Sequence, residues 1–403
     1  MNAIDVLKER GFIQQTTDFD ELKRQFDQPG QTFYVGFDPT GASLHVGHLV
    51  PIMAMAWLQR SGHRPIAVLG GGTAMIGDPS GKDQTREVLT REVIEHNRDC
   101  FRGQIGRFLS VEKADGAAGG ETALVVDNGD WLLSLNYVSF LRDIGRHFSI
   151  NRMLSAEGTR QRLERDQGLS FVEFNYHLLQ SYDFLVLNDA HDCVLQIGGD
   201  DQWFNILGGV QLIRKCRSKK VHAATVPLIM TADGKKMGKT ENGAVWLDED
   251  QLSAYDYYQY WVNVQDADVI RFLKLYTFLD LAEIEELSQL KGADIRKAKA
   301  RLAFEATKLN HGEAAAEAAR SAAQAVFAGG RSVNMPTHQI EFPVGVLDAF
   351  ALSGLAKSKG EARRLIKMGG AKIGTEKITD PELQLTEPCV LWAGKKRAVQ
   401  LVE

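Results

Sequence analysis

From its start to about residue 225 the chain alternates short β-branched runs with stretches of helical periodicity, a rhythm few folds accommodate. Thr32 to Phe37, Pro65 to Leu69, Ala123 to Val126, Cys193 to Ile197 and Ala223 to Val226 read as buried strands, each bounded by Gly, Asp or Asn. Strands apolar on both faces, with helices between them, predict an α/β fold with a parallel sheet covered on both sides. Ligands then belong at the carboxyl ends of the strands.

The remainder is organised differently. From about 250 to 328 apolar residues recur every three or four positions, and Ala293 to Phe327 is rich in Ala, Glu, Lys and Arg. Ala328-Gly329-Gly330 ends this all-α part, Arg331 to His338 is a polar linker containing Pro336, and a small α+β unit follows. For 403 residues, about two or three domains are expected. A hydrophobic share of 44% and a charged share of 25% exclude a disordered, collagen-like or rod-like chain. The apolar stretch Leu49 to Leu58 is roughly half a bilayer span, and Asp5, Lys8, Glu9 and Arg10 interrupt any signal-peptide core. The expectation is a soluble, cytoplasmic protein with no membrane contact.

Cys100, Cys193, Cys216 and Cys389 are widely scattered without a C-x-x-C pair, which predicts reduced thiols and no structural metal. The net charge of −5 argues against general nucleic-acid affinity. From Pro343 onward, however, ten Lys/Arg face seven Asp/Glu, and a basic tail on an acidic body points to RNA.

Two stretches carry chemistry. Tyr34 to His48 runs from a strand through a turn into a helix, and His45 and His48 share a face of its first turn around Gly47. Unpaired N–H groups and the helix dipole favour phosphate there. Alone, an H-x-x-H is as readily a helix start with incidental histidines; zinc is disfavoured because no third ligand lies near. Lys235-Lys236-Met237-Gly238-Lys239-Thr240 occupies a loop nearly two hundred residues later. Clustered lysines are more often a solvated face, yet a mobile ammonium can neutralise a departing pyrophosphate. Gly70-Gly71-Gly72 lacks dinucleotide-fingerprint spacing, and Gly77-Asp78-Pro79-Ser80-Gly81-Lys82 has one residue too few between its glycines for a P-loop. In Phe171 to Asp183, Glu173, Tyr176, Gln180 and Asp183 form a polar stripe opposite Phe171, Phe174, Leu178 and Tyr182. Such a stripe is either an ordinary amphipathic face or a site for a zwitterion bearing a hydroxyl.

The His45/His48 and Lys236–Thr240 signatures together resemble the HIGH and KMSKS motifs of class I aminoacyl-tRNA synthetases. The whole chain resembles the bacterial type of tyrosyl-tRNA synthetase through Tyr34-x-Gly36-Phe37-Asp38-Pro39-Thr40, Gly77 to Lys82, Phe174-x-Tyr176-x-x-x-Gln180-x-Tyr182-Asp183 and Gln196 to Trp203. The resemblance implies a Rossmann-like catalytic domain at 1–225 with a dimerisation insertion at about 83–190. It further implies a KMSKS-type loop and helical tRNA-binding domain at 226–330, a linker at 331–340 and an S4-like RNA-binding domain at 341–403.

By the same resemblance, Tyr34 and Asp183 bond the phenol of L-tyrosine, and Asp78, Tyr176 and Gln180 hold its ammonium. Gln202 touches its carboxylate, and Asn128 supports the pocket. Gly36, Asp38, Gly47, His48, Gly199, Asp201 and Lys239 bind ATP. Thr40, His45, His48, Lys82, Arg86, Lys236, Lys239 and Thr240 surround the triphosphate in catalysis. Mg²⁺ accompanies ATP as substrate, with no cofactor bound permanently and no protein metal cage. tRNA(Tyr) meets Lys359, Arg363, Arg364 and Lys367, one face of a short helix opened by Ser358-Lys359-Gly360-Glu361. That basic face alone could be merely solvated.

A homodimer is expected through Val138 to Met153, with Phe140, Leu141, Ile144 and Phe148 as a stripe needing a partner, or otherwise intrachain core. Val35, Pro51, Asp200 and Phe204 depart from the family pattern near the adenylate. The alternatives are a tryptophanyl-tRNA synthetase or a non-catalytic or splicing-recruited RNA-binding relative. Tyr34 with Asp183 favours a phenol over an indole, and retention of His45, His48 and Lys239 favours catalysis.

Overall fold

The computed structural model describes residues 2–79, 89–111, 122–164, 169–230, 239–240, 243–327, 337–374, 376–394 and 397–402. Two compact units divide the chain, Met1–Gly312 and Glu313–Glu403.

In the first unit, six strands form one sheet: β1 (Gln15–Thr16), β2 (Thr32–Phe37), β3 (Arg64–Leu69), β4 (Leu124–Asp127), β5 (Cys193–Gly199) and β6 (His222–Val226). Their order is β1-β6-β5-β2-β3-β4, and only the short β1 runs antiparallel to its neighbour. From β2 the chain progresses outward through β3 to β4, then crosses back to β5 on the other side of β2. The order therefore reverses between β2 and β5, where the connections leave to opposite faces and open a crevice at the strands' carboxyl ends.

The helices flanking that crevice are α1 (Val46–Arg60), α2 (Arg91–Ile105), α3 (Phe171–His191) and α4 (Trp203–Arg217). α1 is apolar nearly all round and accordingly buries Val46, Leu49, Val50 and the run Ile52 to Ala56. Pro51, inside it, lacks the N–H that would bond the Gly47 carbonyl. α3 opens on a capping box in which Ser170 Oγ accepts from the Glu173 N–H and the Glu173 carboxylate accepts from the Ser170 N–H, both at 3.1 Å. Glu173 thus belongs to a helix cap, not to the ligand-facing stripe expected for it.

The helices Ala254–Val262, Val269–Tyr276 and Ile295–His311 lie in the same unit. The Arg10 guanidinium ties the end of the helix Val269–Tyr276 to the N-terminal helix by donating to the carbonyls of Lys274, Thr277 and Leu279. Residues 83–190 carry the edge strand β4 as well as surface helices. Of the expected stripe, Ile144 is buried, and Phe140 and Phe148 pack half-buried against their own core. Leu141 alone of that stripe is exposed, together with Tyr137, Val138, Ile150, Leu154 and Phe171 outside it, Val138 at 72% and Phe171 at 67%. The helix at Tyr137–Asp143 gives way to a 3₁₀ turn at Gly145–His147, so no single 3.6-residue period runs across the segment.

The second unit pairs the strands Glu376–Lys377, Ala371–Ile373, Val390–Ala393, Arg397–Val402 and Thr337–Gln339 in that spatial order. The helix Val346–Leu352 and α5 (Lys359–Lys367) close its core through Phe350, Ala362 and Ile366 with Leu391 and Leu401. All four cysteines are free thiols, and among the described residues no helix is long and apolar enough to cross a membrane.

Candidate active site

The described pocket residues come from β2 and β5, from the chain that follows β2, β3, β4 and β5, and from α1 and α3. β4 ends at Asp127, and Asn128 begins the turn that follows. The Asn128 side chain is buried, with Oδ1 accepting from the Gly72 N–H at 2.9 Å and Nδ2 donating to both Thr73 Oγ1 and Asp183 Oδ2 at 2.9 Å. Trp131 Nε1 donates to the other oxygen, Asp183 Oδ1, at 2.8 Å. Burial raises the Asp183 carboxyl to about 7; the two donors oppose that rise, and Asp38 and Asp127 add to it. Each Asp183 oxygen keeps a second lone pair for a donor from the pocket.

Tyr34 points into the same region from β2, its ring edge-on to Phe184 at 5.3 Å. Its hydroxyl is buried without a hydrogen-bond partner among the described residues. Burial first, then the charge of Asp183, pushes its ionisation well above the usual phenol value, so it stays a neutral donor and acceptor. Most buried polar groups are paired, so a solitary hydroxyl beside a carboxylate is a place for a ligand's hydroxyl.

One turn earlier on α3 the chemistry is different. Gln180 Oε1 is buried and likewise lacks a partner among the described residues. Tyr176 donates its hydroxyl to Asp38 Oδ2 at 2.8 Å, and Thr73 Oγ1 donates to Asp38 Oδ1 at 2.7 Å. Gln202 Nε2 donates to Asp78 Oδ2 at 2.7 Å. An amide oxygen and a carboxylate suit an ammonium, and the amide N–H of Gln202 suits a carboxylate. The Gly70-Gly71-Gly72 turn lets these side chains converge: a Cβ on Gly70 would lie 2.1 Å from Asp38 Oδ1, and one on Gly71 2.3 Å from Asp127 Oδ1. Asp127 is fixed in turn by Arg98 Nη1 of α2 at 2.9 Å.

Phosphate-type chemistry gathers at the start of α1. His45 is its N-cap: its Nδ1 accepts from the Gly47 N–H at 3.0 Å, and His48 Nδ1 accepts from the His45 N–H at 3.1 Å. With both Nδ1 atoms accepting, the nitrogen that can present a proton to a phosphate is Nε2 in each ring. Burial and then His45 hold His48 well below the usual imidazole range, which keeps it neutral. The rings lie 4.0 Å apart. Gly36 and Thr40 are exposed nearby, and a Cβ on Gly36 would touch nothing within 4 Å. At the end of β5, Gly199 sits against Asp201, where a Cβ would come 2.6 Å from Oδ1.

Lys82, Arg86 and Lys236 lie outside the described residues, and of Lys239 and Thr240 only the backbone is described, paired with Gly243–Ala244. The chain following the lysine-rich stretch is well placed, however. Val46 N–H bonds the Val245 carbonyl at 3.0 Å and Leu247 N–H bonds the Leu44 carbonyl at 2.9 Å, which brings this segment back beside His45. Asp200, expected near the adenylate, directs Oδ1 to Gln15 Nε2 and Thr225 Oγ1, both at 2.7 Å, tying β1 to β6. Trp131 was not singled out by the sequence. Its position, in the turn just past a strand's carboxyl end, is the signal that could have found it.

In the second unit, Lys359, Arg363, Arg364 and Lys367 are all exposed on α5, while Ala362 and Ile366 face the core. Lys359 pairs with Asp348 at 2.5 Å and Arg363 with Glu382 at 2.9 Å.

The family described as class I tRNA synthetases (W and Y) matches residues 28–328. A tyrosine–tRNA ligase of Clostridium kluyveri is 50% identical over 390 residues, covering 96% of this chain and 94% of the relative. One from Acetivibrio thermocellus is 51% identical over 383 residues, covering 94% and 92%. The chain belongs to the class I tyrosyl-tRNA synthetase family. Among solved structures, a C-terminally truncated mitochondrial tyrosyl-tRNA synthetase of Aspergillus nidulans superposes with a TM-score of 0.71 at 30% identity, covering 81% of this chain and 94% of that one. A tryptophanyl-tRNA synthetase of Encephalitozoon cuniculi, at 13% identity and a TM-score of 0.55 over 78% of this chain and 87% of that one, shares the fold alone.

Proposed function

We infer that this enzyme activates L-tyrosine with ATP to tyrosyl-adenylate and pyrophosphate, then transfers the tyrosyl group to the 3′ end of tRNA(Tyr). The observation that carries the substrate is the buried pair of Tyr34, whose hydroxyl has no partner among the described residues, and Asp183, held by Asn128 and Trp131. A phenol donates to the carboxylate and satisfies the solitary hydroxyl, whereas phenylalanine leaves the hydroxyl unpaired and the carboxylate without its third donor.

At the other end, Gln180, Tyr176 and Asp78 receive the ammonium and Gln202 the carboxylate. That carboxylate, already an anion, attacks the α-phosphorus; the new C–O–P bond forms as the bond to the pyrophosphate oxygen breaks. No proton moves, so catalysis reduces to positioning and charge stabilisation. Gly36, Asp38, Gly47, Gly199 and Asp201 line the way for adenosine. Thr40 and the Nε2 sides of His45 and His48 serve the triphosphate, which arrives with Mg²⁺ as part of the substrate, and the same role is assigned to Lys82, Arg86, Lys236, Lys239 and Thr240. A terminal ribose hydroxyl of tRNA then attacks the activated carbonyl and AMP departs.

The exposed basic face of α5 supports an RNA-binding, S4-like role for the part of the second unit from Thr337 onward, whose sheet takes in the end of the segment expected as a linker. The exposed apolar residues Tyr137, Val138, Ile150 and Phe171 support a homodimer. The similarity to bacterial tyrosine–tRNA ligases supports a cytoplasmic location. Mixing enzyme, tyrosine, ATP and pyrophosphatase should trap tyrosyl-adenylate on the protein, detectable by mass spectrometry after acid quench. Absence of the adenylate with tyrosine present would overturn the assignment.

A further inference from the structure

Behind the ammonium end of the pocket runs a chain of hydrogen bonds that none of the assigned roles uses. Gln202 Oε1 faces Asn205 Nδ2 at 3.1 Å, and Asn205 Oδ1 faces His177 Nδ1 at 3.2 Å. Its direction is dictated from the pocket. The Asp78 carboxylate only accepts, so Gln202 meets it with Nε2; Oε1 must then accept from Asn205 Nδ2, and Asn205 Oδ1 must accept from His177. Only an imidazole protonated on Nδ1 completes that sequence.

The surroundings hold the ring for this task. His177 stacks on Phe204, with centroids 4.5 Å apart and planes at 29°, and meets Phe148 edge-on at 5.4 Å. α3 and α4 approach so closely here that a Cβ on Gly208 would lie 2.4 Å from His177 Cε1. Burial lowers the imidazole to about 4, so at neutral pH it is uncharged and has a single proton to place. Phe204, which departs from the family pattern, thus has a partner in His177.

We propose that His177, through Asn205, is a positioning residue that stabilises the Gln202 amide in the orientation Asp78 sets, so that N–H rather than C=O confronts the substrate carboxylate. An amide turned the other way would set Oε1 against both Asp78 and the attacking carboxylate, repelling the group that must reach phosphorus. The proposal rests on the assignment of Gln202 to the tyrosine carboxylate, and the experiment separates the two.

The test compares tyrosine with tyrosinol, which keeps the phenol and ammonium but lacks the carboxylate. His177→Phe preserves a ring for stacking and removes the donor, whereas His177→Asn can restore an N–H near the Nδ1 position. Loss of one neutral hydrogen bond corresponds to about a tenfold effect at most. The expectation is that His177→Phe raises KM for tyrosine about five- to tenfold in pyrophosphate exchange and leaves KM for ATP and inhibition by tyrosinol within twofold. His177→Asn should recover most of the loss, and Gln202→Ala should show the same tyrosine-specific defect. If Gln202→Ala is defective and His177→Phe is not, the relay is wrong while the pocket assignment stands. If Gln202→Ala does not discriminate tyrosine from tyrosinol, the assignment of Gln202 fails and the relay with it. Equal weakening of tyrosine and tyrosinol by His177→Phe, unrescued by His177→Asn, would make His177 a packing residue only.

Discussion

Replacing Tyr34 with Phe separates folding from recognition. The Tyr34 hydroxyl is buried and has no partner among the described residues, and an unpaired buried polar group costs roughly 1–3 kcal/mol. Removing it should therefore leave the ligand-free protein as stable as before or more so. The same atom is assigned to the substrate phenol, where a neutral hydrogen bond contributes about 0.5–1.5 kcal/mol, or roughly two- to twelvefold. The variant should lose that factor in kcat/KM for tyrosine and nothing for phenylalanine, so the tyrosine-to-phenylalanine ratio falls by the same amount. Pyrophosphate exchange with each amino acid gives the ratio, and thermal unfolding without ligand gives the stability. A lowered unfolding midpoint with an unchanged ratio would refute the reasoning, because the hydroxyl would then be bonded within the protein and not reserved for substrate.

Asp183 titrates near 7 in the fold against an ordinary 3.8, so the folded state holds its proton more tightly. Ligand-free stability should decline as pH rises from about 4 to 7 and then level off; urea unfolding across that range should show a shallower decline in Asp183→Asn, and an unchanged slope would contradict the assignment. Deleting everything after Ser332 should leave tyrosine-dependent pyrophosphate exchange nearly intact and abolish charging of tRNA. Full-length charging should weaken with salt far more than activation does, and wild-type charging by the truncated chain would refute the RNA-binding role of α5. Val138→Asp, at a position 72% exposed, should convert a dimer to a monomer in equilibrium sedimentation with little loss of thermal stability, whereas a monomeric parent would dismiss the interface.

The strands were legible because residues buried on both faces leave continuous apolar runs: Thr32–Phe37 is a strand over its whole expected length, and β3, β5 and β6 extend theirs by one or two residues. Asp183 and Asn128 were legible through motifs, and the structure brings their side chains within 2.9 Å. Trp131 was not, since a tryptophan after a turn reads as core until a buried carboxylate is seen beside its N–H. His177 was equally silent, because a lone histidine in an apolar helix gives no sign of which nitrogen it offers or to what. The surface segment from 137 to 154 misled, because Phe140, Ile144 and Phe148 pack against the chain's own core and Val138 and Ile150 are among the side chains left exposed. The partners of Asp200 were not legible, since Gln15 and Thr225 are both remote from it in sequence.

The most direct test of the central claim is ATP–pyrophosphate exchange measured with each of the twenty amino acids in turn. The pocket built by Tyr34, Asp183, Asn128 and Trp131 requires exchange with tyrosine, at most traces with phenylalanine, and none with tryptophan. Exchange driven by tryptophan, or by no amino acid at all, would contradict it.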